Sequence, residues 1–370
     1  MPNMFIKVVI ACVLLACSTK GENTGAKSTG FSLDDFFSQN EKLSARVDSV
    51  FQQLDSKARI AQMIVVAAGN NGKPTRQVEE LIKAKLIGGV LLLGGEMTQL
   101  PDVRRHLDSL AHQHGLVPLL YSADAEPSLI NRKLKGTQEV PKTIDLNTEA
   151  RCDSVAAIIS GQLLEMGIRH NYAPVVDMSV SNEAITNRSF GSDPQKVVAL
   201  SATFIKTSQS LGVVATAKHF PGHGLVSGDT HHNLVTIDGE MKEVENYMPL
   251  IKQGVLSIMV GHIAVVNNKR HTNGLPASCS RVIVTDLLKK EMGFDGLVIT
   301  DAMNMGAVQQ IEHAAFKAVE AGCDLILMEP DEYQLMADIY EKYNTNRAFQ
   351  EQIDLSVKKI LRLKACLNMI

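Results

Sequence analysis

Chemistry concentrates first in KHFPGHGLVSGDTHHNLV, residues 218–235, where Lys218, His219, His223, Asp229, His231 and His232 fall within fifteen positions. Gly222, Gly224 and Gly228 separate them and permit a long, bent loop. Asp229 and His231 are two apart, so in an extended segment their side chains share a side. A carboxylate beside an imidazole orients the ring and favours its protonated form. Such an imidazolium can give a proton to a leaving oxygen and take one back later. The second concentration is GFDGLVITDAMNMGA, residues 293–307, in which an apolar run ends at Asp301. A carboxylate presented at that point can attack a sugar's anomeric carbon and divide one hard displacement into two easier ones. A lone aspartate at a strand end is commonly a helix N-cap; the histidine loop is what turns the reading toward catalysis.

These residues need a scaffold, and the rest of the chain describes one. Short runs rich in Val, Ile and Leu occupy 60–67, 88–93, 117–124, 169–177, 212–218, 256–262, 296–301 and 324–328, and read as buried strands. Between and after them, 75–85, 98–113, 147–166, 194–210, 241–253, 280–292, 307–321, 331–342 and 347–366 read as helices. An additional helix at the start carries Leu43, Val47, Val50, Phe51 and Leu54 on one face. Eight β-then-α units predict an α/β fold, a (β/α)8 TIM-like barrel in a single catalytic domain, with an open doubly wound sheet as the alternative. No glycine-rich GxGxxG follows the first run, which counts against a dinucleotide fold. Several runs finish in polar residues, namely Asp124, Asp177, His219, His262 and Asp301. Ionisable groups gathered at one end imply a wet, substrate-sized basin there.

The 370-residue chain is 45% hydrophobic and 21% charged, with a formal net charge of −3. That composition suits one large core and provides no basic stripe for nucleic acid. Lys7 precedes a short apolar run over residues 8–16, about half of the ~20 residues that a spanning helix needs. Leu14-Leu15-Ala16-Cys17 resembles the bacterial lipobox. It predicts a signal peptide at 1–16, a lipidated Cys17 with a flexible tether to residue 30, and a barrel domain over 31–370. The implied location is extracytoplasmic, anchored to a bacterial membrane. Cys152, Cys279, Cys323 and Cys366 are far apart without metal spacing, so buried free thiols are expected.

The segments together resemble glycoside hydrolase family 3, and within it the bacterial β-N-acetylhexosaminidase branch. The resemblance rests on NYAPVVDM at 171–178, NRSFGSDP at 187–194, KHFPGHG at 218–224, DTH at 229–231, PASCSR at 276–281 and GFDGLVITDAM at 293–303. It implies Asp301 as nucleophile, His231 as acid/base and Asp229 as its partner. It also implies sugar binding by Asp124, Arg132, Arg188, Lys218 and His219. Asp124 and Arg132 match the family's D-x-E-G-G-x-x-x-R, but Pro127 and Ser128 replace the two glycines and alter the backbone available around Arg132. Many members add a β-sandwich domain after the barrel; a barrel alone is expected here.

His223, His232 and His262 are expected as hydrogen-bonding loop or core residues, Asp177 as a strand-end cap, and Met303 and Met305 as apolar lining of the pocket. The implied reaction is retaining exo-hydrolysis of terminal β-linked N-acetylglucosamine from peptidoglycan-type or chitin-type glycans, with a bell-shaped pH profile and no cofactor or metal. A metal-dependent barrel hydrolase usually carries an early HxH pair, which is missing from the first strands. A phosphorylase using the same site and a non-catalytic glycan-binding lipoprotein remain as alternatives.

Overall fold

A strand buried on both faces needs apolar residues at every position rather than at alternate ones. In the computed structural model, which describes residues 30–179 and 182–370, the apolar runs form strands of that kind. They are β1 (Ile64–Gly69), β2 (Gly89–Glu96), β3 (Leu120–Ala123), β4 (His170–Asn171), β5 (Val214–Phe220), β6 (Ser257–Val260), β7 (Leu297–Thr300) and β8 (Ile326–Leu327). All eight pair in parallel, in the order β7-β6-β5-β4-β3-β2-β1-β8. A parallel bridge between Ile299 and Leu325 joins the two edges. The sheet therefore closes on itself as a (β/α)8 barrel, and the open doubly wound alternative is set aside. The expected signal segment, Cys17 and the tether up to residue 29 lie outside the described residues. Among the described residues no helix is long and apolar enough to cross a membrane.

Several boundaries differ from the sequence reading, each for a local reason. Asp55 accepts a hydrogen bond from the Ala58 N–H at 2.7 Å and caps a helix over Ser56–Ala61, so the first apolar run begins helical and β1 starts only at Ile64. The run at 169–177 yields a regular strand of only two residues, and beyond it the chain stays joined to β5 through irregular contacts, with a bridge from Val175 to Lys218. The stretch expected as a helix over 307–321 is helical only from Ala314 to Ala321. Part of the preceding segment directs its backbone N–H groups outward, to the histidine loop.

The C-terminal helix Arg347–Cys366 packs on the Glu41–Gln53 helix and reaches the lower end of the barrel, where β1 and β2 begin. Its Arg362 donates to the carbonyls of Asp35, Phe36 and Ser38 and ties down the N-terminal segment. Lys364 of the same helix is fully buried, donating to Gln62 Oε1 at 2.7 Å and to the Gly88 carbonyl at 3.0 Å. Cys152, Cys279, Cys323 and Cys366 are free and buried.

Candidate active site

A cavity of about 380 Å³ opens at the carboxyl ends of the strands. It is lined by Asp124, Arg188, Lys218, His219, His231 and Asp301, together with Lys133, Tyr172, His223, Thr230 and apolar side chains. A larger hollow of about 690 Å³ lies elsewhere, bounded by Gln62, Leu86, Tyr333 and Tyr340, and contains none of these groups.

Asp301 follows β7 directly and its backbone N–H continues the ladder to Val260 O at 2.9 Å. One carboxylate oxygen accepts from the Ala302 N–H at 2.8 Å. Burial works against its charge, but His219, the Ala302 N–H and Lys218 outweigh burial and hold the carboxyl down to about 2. Asp301 is thus an ionised carboxylate across the whole working range of pH. His262 braces this turn from behind. Its Nε2 lies 3.0 Å from the Ala302 carbonyl and its Nδ1 2.8 Å from Ser278 Oγ. A carbonyl only accepts, so Nε2 carries the proton, Nδ1 accepts from the serine, and the ring is neutral. Burial, which lowers the His262 pKa, agrees.

A break in register between Ala217 and Phe220 lets β5 turn Lys218 and His219 toward the cavity. Lys218 Nζ sits 2.5 Å from Asp124 and 2.5 Å from Glu126. Arg188 grips Glu126 through Nε at 2.8 Å and through a terminal nitrogen at 2.7 Å, and Lys133 pairs with Asp124. Desolvation disfavours each charge, yet the opposite charges prevail: Asp124 lies well below the carboxylate range, Glu126 is lowered, and Lys218 and Arg188 are raised. His219 Nδ1 lies 2.6 Å from the buried carboxylate of Asp177, which also accepts from the backbone N–H groups of His219 and His223. Asp177 is therefore an orienting partner of His219 as well as a cap. Glu243 closes the arrangement underneath, accepting from Met178 N–H at 2.5 Å, Gly224 N–H at 3.0 Å and Leu225 N–H at 3.2 Å. Burial and the nearby Asp177 push its carboxyl up to about 8.

On the histidine loop, Asp229 accepts from the His231 backbone N–H at 2.9 Å, and its carboxylate lies 2.6 Å from His231 Nδ1. That contact assigns the Nδ1 proton to the carboxylate side and leaves Nε2 for a substrate. The Asp229 carboxyl is lowered because the His231 N–H and ring outweigh its partial burial.

The structure gathers Asp301, His231, Asp124, Arg188, Lys218 and His219 on one cavity, with Asp229 behind His231. Arg132 is not with them: it is exposed, and its neighbour Lys133 lines the cavity instead. The physical reason lies in the loop that lacks the two glycines. Ser128 Oγ there is pinned to Thr143 Oγ1 and to the Asn187 carbonyl, and the short helix Ile130–Lys133 follows. Met303 is also displaced, packed in the core rather than on the cavity wall, where Met259, Met305 and Met328 stand. His232 is exposed, away from the cavity lining. Glu126, Lys133, Thr230 and Glu243 were not singled out as site residues. Glu126 alone had a usable cue, since it stands two positions after Asp124 on the same side of an extended segment.

Residues 54–363 match the sequence model of the glycosyl hydrolase family 3 N terminal domain. The chain belongs to glycosyl hydrolase family 3. Among family 3 relatives it is 30% identical over 328 residues to a protein named beta-hexosaminidase A from Pseudoalteromonas piscicida, covering 78% of this chain and 55% of that protein. A solved family 3 beta-N-acetylglucosaminidase from Paenibacillus sp. str. FPU-7 superimposes with a TM-score of 0.78 at 28% identity, covering 85% of this chain and 63% of that one. A beta-N-acetylhexosaminidase from Beutenbergia cavernae DSM 12333 superimposes with a TM-score of 0.73 at 27% identity, over 83% of this chain and 98% of that one. The chain thus spans little more than half the length of the first relative and nearly all of the third.

Proposed function

We propose that this family 3 protein hydrolyses terminal β-linked N-acetylhexosamine, N-acetylglucosamine in particular, with retention of configuration. The observation that carries the reading is that an ionised strand-end carboxylate, Asp301, and a carboxylate-oriented imidazole, His231, border one cavity. At about 380 Å³ the cavity is at the small end of ligand pockets and suits a single sugar, hence removal of terminal units.

In the first step an Asp301 carboxylate oxygen forms a bond to the anomeric carbon. The glycosidic bond breaks, and its oxygen takes the proton from His231 Nε2. In the second step neutral His231 takes a proton from water, the hydroxide oxygen bonds to the anomeric carbon, and Asp301 leaves as a carboxylate. Asp229 steadies the imidazolium during the first step. The donors of Lys218, His219 and Lys133 and the acceptor oxygens of Asp124 are of the kind that hold ring hydroxyls. Beta-hexosaminidase names among the relatives support the sugar class. Peptidoglycan-type or chitin-type fragments are the natural sources we infer, reached by a protein held at a membrane through lipid on Cys17. Incorporation of a labelled fatty acid that Cys17→Ser abolishes checks the anchor.

The deciding experiment follows nitrophenol release from a nitrophenyl β-N-acetylglucosaminide, with proton NMR of the sugar first released, with and without phosphate. Release of the β-anomer that Asp301→Ala abolishes supports the reading. Release of the α-anomer overturns the mechanism, and phosphate-dependent turnover redirects the assignment to transfer onto phosphate.

A further inference from the structure

The acid/base residue sits on an exposed part of the site: the His231 side chain is 59% exposed, whereas that of Lys218 is 3% exposed. Something other than deep packing must hold it over the cavity. The turn carrying it is closed by the N–H groups of His232 and Asn233, both bonded to the Asp229 carbonyl at 3.1 Å. The outward carbonyls of that turn meet the segment after the nucleophile. Gly306 N–H donates to the His231 carbonyl at 3.0 Å, and Ala307 N–H donates to the Thr230 carbonyl at 3.2 Å. On the other side, Thr230 Oγ1 lies 3.0 Å from His223 Nε2, and the His223 backbone is itself fixed by Asp177 at 2.7 Å.

Space at Gly306 is as restrictive as its hydrogen bond. A Cβ there would stand 2.3 Å from the His232 carbonyl oxygen and 2.8 Å from that of His231. Both are backbone atoms, which cannot swing aside as a side chain can. Gly306 is not among the glycines with positive φ, so the cost of alanine there comes from its clash with the turn rather than from its own φ.

We propose that Gly306 is a positioning residue: its bare Cα and its N–H, with the Ala307 N–H and the His223–Thr230 bond, form a seat that fixes the Asp229–His231 turn over the cavity. The nucleophile segment thereby places its own acid/base partner. This proposal rests on the hydrolase reading above, and its test separates the two. With full-length protein, kcat/KM is compared on methyl and 2,4-dinitrophenyl β-N-acetylglucosaminides for wild type, Gly306→Ala, Thr230→Val and Thr230→Ser. The methyl leaving group needs a proton and the dinitrophenyl group does not. Gly306→Ala is expected to lose roughly tenfold to hundredfold on the methyl glycoside, within the range general acid catalysis supplies, and less than about threefold on the dinitrophenyl glycoside. Thr230→Val is expected to show a smaller loss of the same kind, and Thr230→Ser to restore it. Equal losses on both substrates, or no loss on either, overturn the seat. Should wild type turn over neither glycoside, the hydrolase reading fails by itself. Hydrogen–deuterium exchange across residues 225–235 then judges the seat: faster exchange in Gly306→Ala supports it and unchanged exchange overturns it.

Discussion

The two ends of the barrel each bury a lysine, and the two lysines behave in opposite ways. At the upper end Lys218 is surrounded by Asp124 and Glu126, which outweigh desolvation and raise its pKa. At the lower end Lys364 has only Gln62 Oε1 and the Gly88 carbonyl, and burial drives its amine down to about 7. Burial is common to both, so the difference comes from the partners. The upper end holds a set of permanent charges that can face a polar sugar. The lower end holds an amine that can give up its charge, in a place where no chemistry is proposed.

The strongest way to break the contrast is to remove a working charge. Asp301→Ala is expected to lower kcat on the order of 10⁴-fold or more, with little change in thermal midpoint; residual turnover near wild type would remove Asp301 from the mechanism. His231→Ala should cost about 10²–10⁴-fold on glycosides with poor leaving groups and far less on those with good ones. The acid limb moves from the bell shape expected on sequence: with Asp301 held down to about 2, kcat/KM should stay flat through mildly acidic pH.

The same substitution at both ends sharpens the contrast further. Lys218→Met leaves buried carboxylates short of a partner and is expected to destabilise by about 3 kcal/mol in denaturant unfolding. Lys364→Met removes no charge partner. Between about 7 and the ordinary lysine value of 10.5 the unfolded chain binds a proton that the folded protein does not. Wild-type stability therefore rises with pH in that window, by up to about 1.4 kcal/mol per pH unit relative to Lys364→Met. Parallel stability curves for the two proteins would show that Lys364 keeps its charge.

The barrel was legible because two-sided burial writes continuous apolar runs, and because polar residues ending those runs mark the working end. The contact between Asp229 and His231 was legible in their spacing, and the placement of Asp301 in its position after an apolar run. Lys133 was not, because a short helix decides which of two adjacent cations turns inward, and that helix depends on Ser128 reaching Thr143 and Asn187. Glu243 was hidden for a different reason. It acts by accepting N–H groups from two distant loops, and backbone donors leave no mark in side-chain sequence. The 307–321 stretch carries helical periodicity in full, yet its first residues serve the seat under His231, so a local preference gave way to a tertiary contact.

Burial of the four free cysteines among the described residues gives the barrel a built-in reporter. Desolvation pushes the thiols of Cys152, Cys279 and Cys366 up to about 12 and raises Cys323 as well. Since the thiolate is the reactive form, all four should stay silent toward alkylating reagents while the fold is intact. They mark three places: the Glu149–Glu165 helix for Cys152, the surroundings of Ser278 for both Cys279 and Cys323, and the last turn of the Arg347–Cys366 helix for Cys366. The order in which they become labelled under mild denaturant would therefore trace which sector of the barrel opens first, without any residue being added.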